Sequence, residues 1–131
     1  MVRTGELNVL PNWIDYGITS TIVGMASFSV RRISYMVIGK ICFVEFNING
    51  IGNATTFSFT LPFNSNAGGS SYGSLGHTYD NGSFPSSNGT WHLNNGSNIC
   101  HLDLGPSGQS TIPWTASGNR NAYAVFFYPI A

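Results

Sequence analysis

Thr55-Thr56-Phe57-Ser58-Phe59-Thr60-Leu61, closed by Pro62, is the stretch that decides the fold class. Thr55, Phe57, Phe59 and Leu61 fall on one face of an extended chain, and Thr56, Ser58 and Thr60 on the other. A strict period of two with one apolar and one polar face is a half-buried strand of an antiparallel sheet. Proline then ends it, because it cannot donate to a ladder. Upstream, Ile41 to Ile48 repeats the pattern, with Cys42, Val44, Phe46 and Ile48 inward and Glu45 and Asn47 outward. Gly39-Lys40 is a tight turn joining it to a strand over Ser27 to Ile38. The alternation of that strand shifts phase around Arg31-Arg32, as a bulge or a change of neighbour would produce. Asn49-Gly50-Ile51-Gly52-Asn53 reads as a turn, and Trp13 to Gly24 as one or two short strands.

Downstream, Trp91 to Leu104 reads as a hairpin around Asn95-Gly96. Cys100, Leu102 and Leu104 form its core face, and Ile99, His101 and Asp103 its outer face. Gly105 to Gly118 is a loop carrying Pro113-Trp114. The last strand, Ala122 to Ile130, is apolar on both faces, so it belongs in the middle of a sheet or in a subunit interface. Residues 64–90 are a Gly/Ser/Asn-rich loop region, read as one long loop or as short irregular strands with long connections, with isolated aromatics at Tyr72, Tyr79 and Phe84. Long ordered loops in compact domains commonly carry function. About eight short strands separated by Gly/Asn turns predict an all-β, antiparallel β-sandwich of jelly-roll type. Residues 1–12 read as a leader or linker to a preceding segment, and 13–131 as one domain.

Composition agrees. Gly (16) and Asn (14) together make 30 of 131 residues, while helix formers are scarce. Only 8% of residues are charged, the net charge is zero, and 14% are aromatic. Ordinary soluble domains carry about 25% charged residues. One Lys and four Arg make no electrostatic footprint for nucleic acid. No apolar run approaches the roughly 18–20 residues that span a bilayer, and no membrane insertion is expected. The beginning of the chain has no apolar signal-peptide region. Cys42 and Cys100 sit on core faces, as two free thiols or as one bridge.

Chemistry-bearing motifs are few. Gly69-Ser70-Ser71-Tyr72-Gly73 matches the nucleophile-elbow pattern, but no helix pattern follows it. Glycoside hydrolysis needs two carboxylates about 5–10 Å apart across a cleft. Glu6, Asp15, Glu45, Asp80 and Asp103 show no such local pairing. His92 and His101 are cross-strand neighbours in the hairpin, with Asp103 two residues on, so a metal shared between copies on an axis stays open. Otherwise no metal, no cofactor and no catalytic residue is expected. Asn-x-Ser/Thr triplets at Asn53, Asn81, Asn88 and Asn95 follow from the composition and from turn chemistry. What remains is a neutral surface of amides, hydroxyls and isolated aromatics. Sugars are neutral, rich in hydroxyls, and apolar on their ring faces, so such a surface suits them. Tyr72, His77, Tyr79, Asp80, Trp91, His92 and Trp114 are the expected ligand-binding residues.

Trp13, then Ser34-Tyr35-Met36-Val37-Ile38-Gly39-Lys40-Ile41-Cys42-Phe43-Val44, then Asn47-Ile48-Asn49-Gly50, then Thr56-Phe57-Ser58-Phe59-Thr60-Leu61-Pro62 form a pattern. This resembles the C-terminal domains of bacteriophage tail-fibre and minor tail proteins. Trp114-Thr115-Ala116-Ser117-Gly118 through Phe127-Tyr128-Pro129 is similar to their closing strand. The resemblance covers residues 13–62 and 114–131, and residues 64–112 have no counterpart in it. It implies a homotrimeric β-sandwich head at a fibre tip, located in the virion, that adheres to a host-cell surface glycan. It implies no individual functional residue. The expected function is therefore non-enzymatic receptor binding. A structural module that trimerises and caps a fibre, and a polysaccharide-degrading or lectin-like module, are the alternatives.

Overall fold

The computed structural model describes residues 12–86, 88–105 and 112–131. Ten strands are present: β1 (Ile14–Asp15), β2 (Ile22–Val23), β3 (Met25–Ile38), β4 (Ile41–Gly52), β5 (Ser58–Thr60), β6 (Ser71–Ser74), β7 (His77–Asp80), β8 (Thr90–Leu93), β9 (Ile99–Asp103) and β10 (Asn119–Pro129). They form two antiparallel five-stranded sheets, ordered β1-β3-β4-β10-β7 and β2-β5-β9-β8-β6. The protein is an all-β sandwich. Its winding follows from one pair of pairs. Consecutive β4 and β5 lie in opposite sheets, and their partners β10 and β9 are consecutive as well.

The alternating residues meet between the sheets. Cys42, Val44, Phe46 and Ile48 of β4 and Ala122, Ala124, Phe126 and Tyr128 of β10 face Phe59, Leu93, Cys100 and Leu102 of the second sheet, all buried. Phe46 lies 4.7 Å from Phe59, ring centre to ring centre, and Trp91 stacks on Phe126 at 4.1 Å. Both cysteines are free buried thiols. Burial pushes each thiol pKa up, and that of the Tyr128 hydroxyl as well, so all three stay protonated. Tyr128 donates to the Phe63 carbonyl at 3.0 Å.

Four expectations sharpen or change. The strands number ten rather than about eight, because residues 64–90 take the short-strand reading and not the single loop. They contain β6, which pairs with β8, and β7, which pairs with β10. The small residues there serve close packing: a Cβ at Gly73 would sit 2.8 Å from the Trp91 indole nitrogen. The phase shift read around Arg31-Arg32 traces to bulges of β3 at Met25–Ser27 and Phe28–Val30, just before the arginine pair. Asn49–Asn53 is not a turn, since β4 runs on to Gly52. Gly50 lets the bulged backbone of Ser27 come close, and Gly52 makes room for the Arg120 guanidinium. Finally, Trp91 and Trp114 belong to the core. The expected leader over residues 1–12 falls, except for Asn12, outside the described residues.

Candidate functional site

The outer face of the β1-β3-β4-β10-β7 sheet carries the site. Register places Val30 of β3, Asn49 of β4, Asn121 of β10 and Tyr79 of β7 side by side in one row. In the adjoining row Asn47, Tyr123 and His77 stand next to one another. These residues are outward because their neighbours in sequence, such as Ile48 and Ala122, are inward. Asn121 donates through Nδ2 to Asn47 Oδ1 at 2.8 Å and to the Ile48 carbonyl at 3.0 Å. Both amide hydrogens are thereby spent inside the protein, and Oδ1 of Asn121 is left as a fixed acceptor.

Around this row lies an open hollow of about 530 Å³. Asn49 and Asn121 floor it, His77 and Tyr79 form one wall, and Ser29, Asn119 and Phe84 complete the rim. Each wall has a local cause. Ser29 sits within the second bulge of β3, where the ladder skips a residue. Phe84, in the connection after β7, packs edge-on against Tyr79 at 5.1 Å and His77 at 5.7 Å. It remains 71% exposed. Tyr79 donates its hydroxyl to the Gly82 carbonyl at 2.8 Å, which braces the turn that delivers Phe84. Asn81 (φ 47°) and Gly82 (φ 80°) both adopt the left-handed conformation in that turn. The lining contains amides, hydroxyls, one imidazole and two aromatic rings, and no carboxylate, ammonium or guanidinium.

Compared with protein-family models, curated proteins and solved structures, the chain matches none.

The seven expected ligand residues separate. His77 and Tyr79 line the hollow together. Asp80 is next to it in sequence but turns away to accept from the Thr115 amide and hydroxyl, at 2.8 Å for the latter. Its carboxylate anchors a loop. Tyr72 stands on the edge strand β6, 67% exposed, beside a different groove that Val125 and Phe127 share. His92 is on the outer face of the other sheet. Trp114 is 2% exposed, packs edge-on against Phe57 at 5.1 Å, and donates its indole N–H to the Leu102 carbonyl at 2.8 Å. A tryptophan so placed is a core residue with its one polar atom satisfied. Trp91 is 6% exposed and stacked on Phe126, so it offers no platform comparable with Phe84.

Sequence reasoning missed Ser29, Asn49, Phe84, Asn119 and Asn121. Asn49 and Asn121 carried a readable signal. Extending the inward set Cys42, Val44, Phe46, Ile48 by one step leaves Asn49 outward, and extending Ala122, Ala124 backward does the same for Asn121. Reading Asn49-Gly50 as a turn hid the first.

Proposed function

We propose that this chain is a non-enzymatic receptor-binding domain of a bacteriophage fibre tip, and that the Asn49–Asn121–Tyr79 hollow takes an uncharged glycan of the host-cell surface. The observation that carries the reading is the chemistry of the lining. Pre-oriented amides and hydroxyls beside an exposed aromatic ring match a ligand made of hydroxyl groups and apolar ring faces. A charged ligand would find no partner there. The resemblance of residues 13–62 and 114–131 to phage fibre heads supplies the biological setting. The described acids support binding over hydrolysis: Asp15 caps the Gly17 amide, Glu45 pairs with Arg32, Asp80 holds Thr115, and Asp103 bonds His92.

A structural, trimer-forming role has its own observation. On the same outer face, Met36, Phe43 and Phe127 form an apolar row, with Phe127 62% and Val125 57% exposed. In this reading the row is buried between three copies. Both roles fit one fibre head.

The test is titration calorimetry with uncharged oligosaccharides prepared from the surface of candidate hosts. Phe84→Ala removes an exposed ring and leaves the core intact. It is expected to weaken binding about tenfold or more, the usual effect of truncating an aromatic anchor. Tyr72→Ala is expected to leave binding unchanged. Wild-type affinity in both Phe84→Ala and Asn49→Ala would sink the assignment.

A further inference from the structure

Away from this hollow, part of one edge of the β1-β3-β4-β10-β7 sheet is open. In a strand, the main-chain groups of alternate residues point to opposite edges. On the edge of β10 away from β4, the Tyr123 carbonyl accepts from the Gly76 amide and the Pro129 carbonyl from the Asn66 amide, each at 2.8 Å. Val125 and Phe127 stand between these two in the same phase, so their N–H and C=O groups point to that edge as well. Pro129 pairs with Ile41 in the β4 ladder although it has no N–H, as a proline can where the missing donor faces an edge. The pairing of β7 with β10 stops at His77 and Tyr123, and the next pairing on this side is the bridge between Ser65 and Ile130. Among the described residues, no strand pairs with Ala124–Tyr128 on this edge.

We propose that this edge is a strand-addition site, which takes an uncharged, extended peptide segment of a partner protein beside Ala124–Tyr128. Three arguments carry it. First, a row of unpaired main-chain donors and acceptors is matched by another extended backbone, and such pairing is a common mode of peptide recognition. Second, a groove of about 540 Å³ runs along the edge, between Ser70–Ser74 on one side and Val125–Phe127 on the other, with Trp91 in its floor. No charged side chain lines it, so a neutral segment enters without stranding a charge. Third, the floor holds an unused donor. Trp91 is 6% exposed, and unlike Trp114 its indole N–H has no hydrogen-bond partner among the described residues. A Cβ at Gly73 would sit 2.8 Å from that nitrogen, so the glycine keeps it open to the groove.

The same geometry states what the segment looks like. Its residues opposite Val125 and Phe127 exchange main-chain bonds with them and turn their side chains to the outer face, where apolar ones pack on the exposed Val125 and Phe127. The residue opposite Phe126 turns inward, and a hydroxyl or amide there accepts from the Trp91 N–H. The opening is about five residues, or roughly 17 Å, long. β7 closes it at one end and Ser65 at the other. It therefore admits a single strand, but not the β10 edge of a second copy, which brings its own β7. The apolar row assigned to the trimer uses side chains that stand out of the sheet face, whereas this site uses main-chain groups in the plane of the sheet.

The experiment is residue-resolved amide hydrogen exchange by NMR, on the whole chain, with an end-blocked Thr-Val-Thr-Val-Thr peptide as the probe. In the free protein the Val125 and Phe127 amides should exchange fast, while those of Ala124 and Phe126, bonded to β4, are protected. Saturating peptide should slow exchange at Val125 and Phe127 together. The same peptide with both Val nitrogens methylated should not bind, because it has lost the donors for the two edge carbonyls. Val125→Pro should abolish binding, with protection of the Phe126 amide showing that the ladder with β4 is intact. Replacing the central Thr of the peptide by Val should weaken binding several-fold, and equal affinity would remove the Trp91 contact. The proposal is overturned if neither amide is protected by up to about 1 mM peptide, or if the methylated peptide binds as well. Protection of both amides in the free protein would overturn it too, since a second copy then fills the edge.

Discussion

At the residue scale, Arg120 carries the greatest consequence. It is fully buried, the bulkiest side chain with no exposed surface. Its Nη1 donates to the Gly24 and Thr56 carbonyls at 2.6 and 3.3 Å, and its Nη2 to the Ala54 and Thr115 carbonyls at 2.6 and 2.7 Å. The guanidinium lies 5.2 Å from the Phe57 ring centre and 5.0 Å from that of Trp114. Four carbonyls from three segments thus converge on one cation, between two aromatic faces. Burial lowers its pKa, and Asp80 opposes that shift. Replacing it with Met keeps much of the volume and strands the carbonyls. Arg120→Met is expected to cost about 3–5 kcal/mol, read as a lower denaturation midpoint with an unchanged slope. Position 120 was legible in principle, because the inward set Ala122, Ala124, Phe126 and Tyr128 extends backward onto it. What the pattern cannot supply is the ring of carbonyls, three of which come from residues far away in sequence.

At the element scale, β4 shows how an alternating strand and a turn signal compete. Asn-Gly-x-Gly is turn chemistry by local preference. Here the strand continues through it, because β3 and β10 pair with β4 on either side as far as Gly52 and Ile51. The glycines are there for contact. A side chain at Gly50 would run into the Ser27 backbone at the bulge. Gly50→Ala is therefore expected to destabilise by about 1–3 kcal/mol, the usual cost of overpacking, measured by chemical denaturation. The same bulge region presents Ser29 to the hollow, so the substitution should also weaken glycan binding. The hairpin of β8 and β9 was legible, with both faces of β9, while the burial of Trp91 on β8 was not. Its cross-strand His92–His101 pair followed from the register alone.

At the scale of the whole molecule, the scarcity of charge becomes a structural statement. Eight charged residues are described, and each one is engaged within the fold. Asp15 caps the Gly17 amide, Arg31 binds the Gly17 and Ser20 carbonyls, and Arg32 pairs with Glu45. Lys40 reaches the Ala131 carbonyl, and Asp80, Asp103 and Arg120 hold the partners named above. The remaining surface is neutral, polar at one end of the outer sheet and apolar at the other. A neutral apolar row such as Met36–Phe43–Phe127 favours self-association. Light scattering is expected to give a mass near three times the 14.1 kDa chain. Phe127→Asp should shift it to the monomer while the circular dichroism spectrum is retained. A wild-type monomer at all concentrations would rule out the trimeric head.

The sequence by itself determined the all-β class and, for β4, β5 and β9, which residues face inward. A period of two is a local property, written into each segment. Tertiary structure alone decided which strands are neighbours. Asn49, Tyr79 and Asn121 lie in one row only because β4, β10 and β7 pair in that order. Trp91 and Trp114 are core residues because Phe126 and Phe57 from distant segments pack against their rings, not because their own segments are apolar. Strand order and sheet-to-sheet packing arise from contacts between distant segments. The candidate site sits where such contacts meet, so its individual residues were readable and their assembly was not.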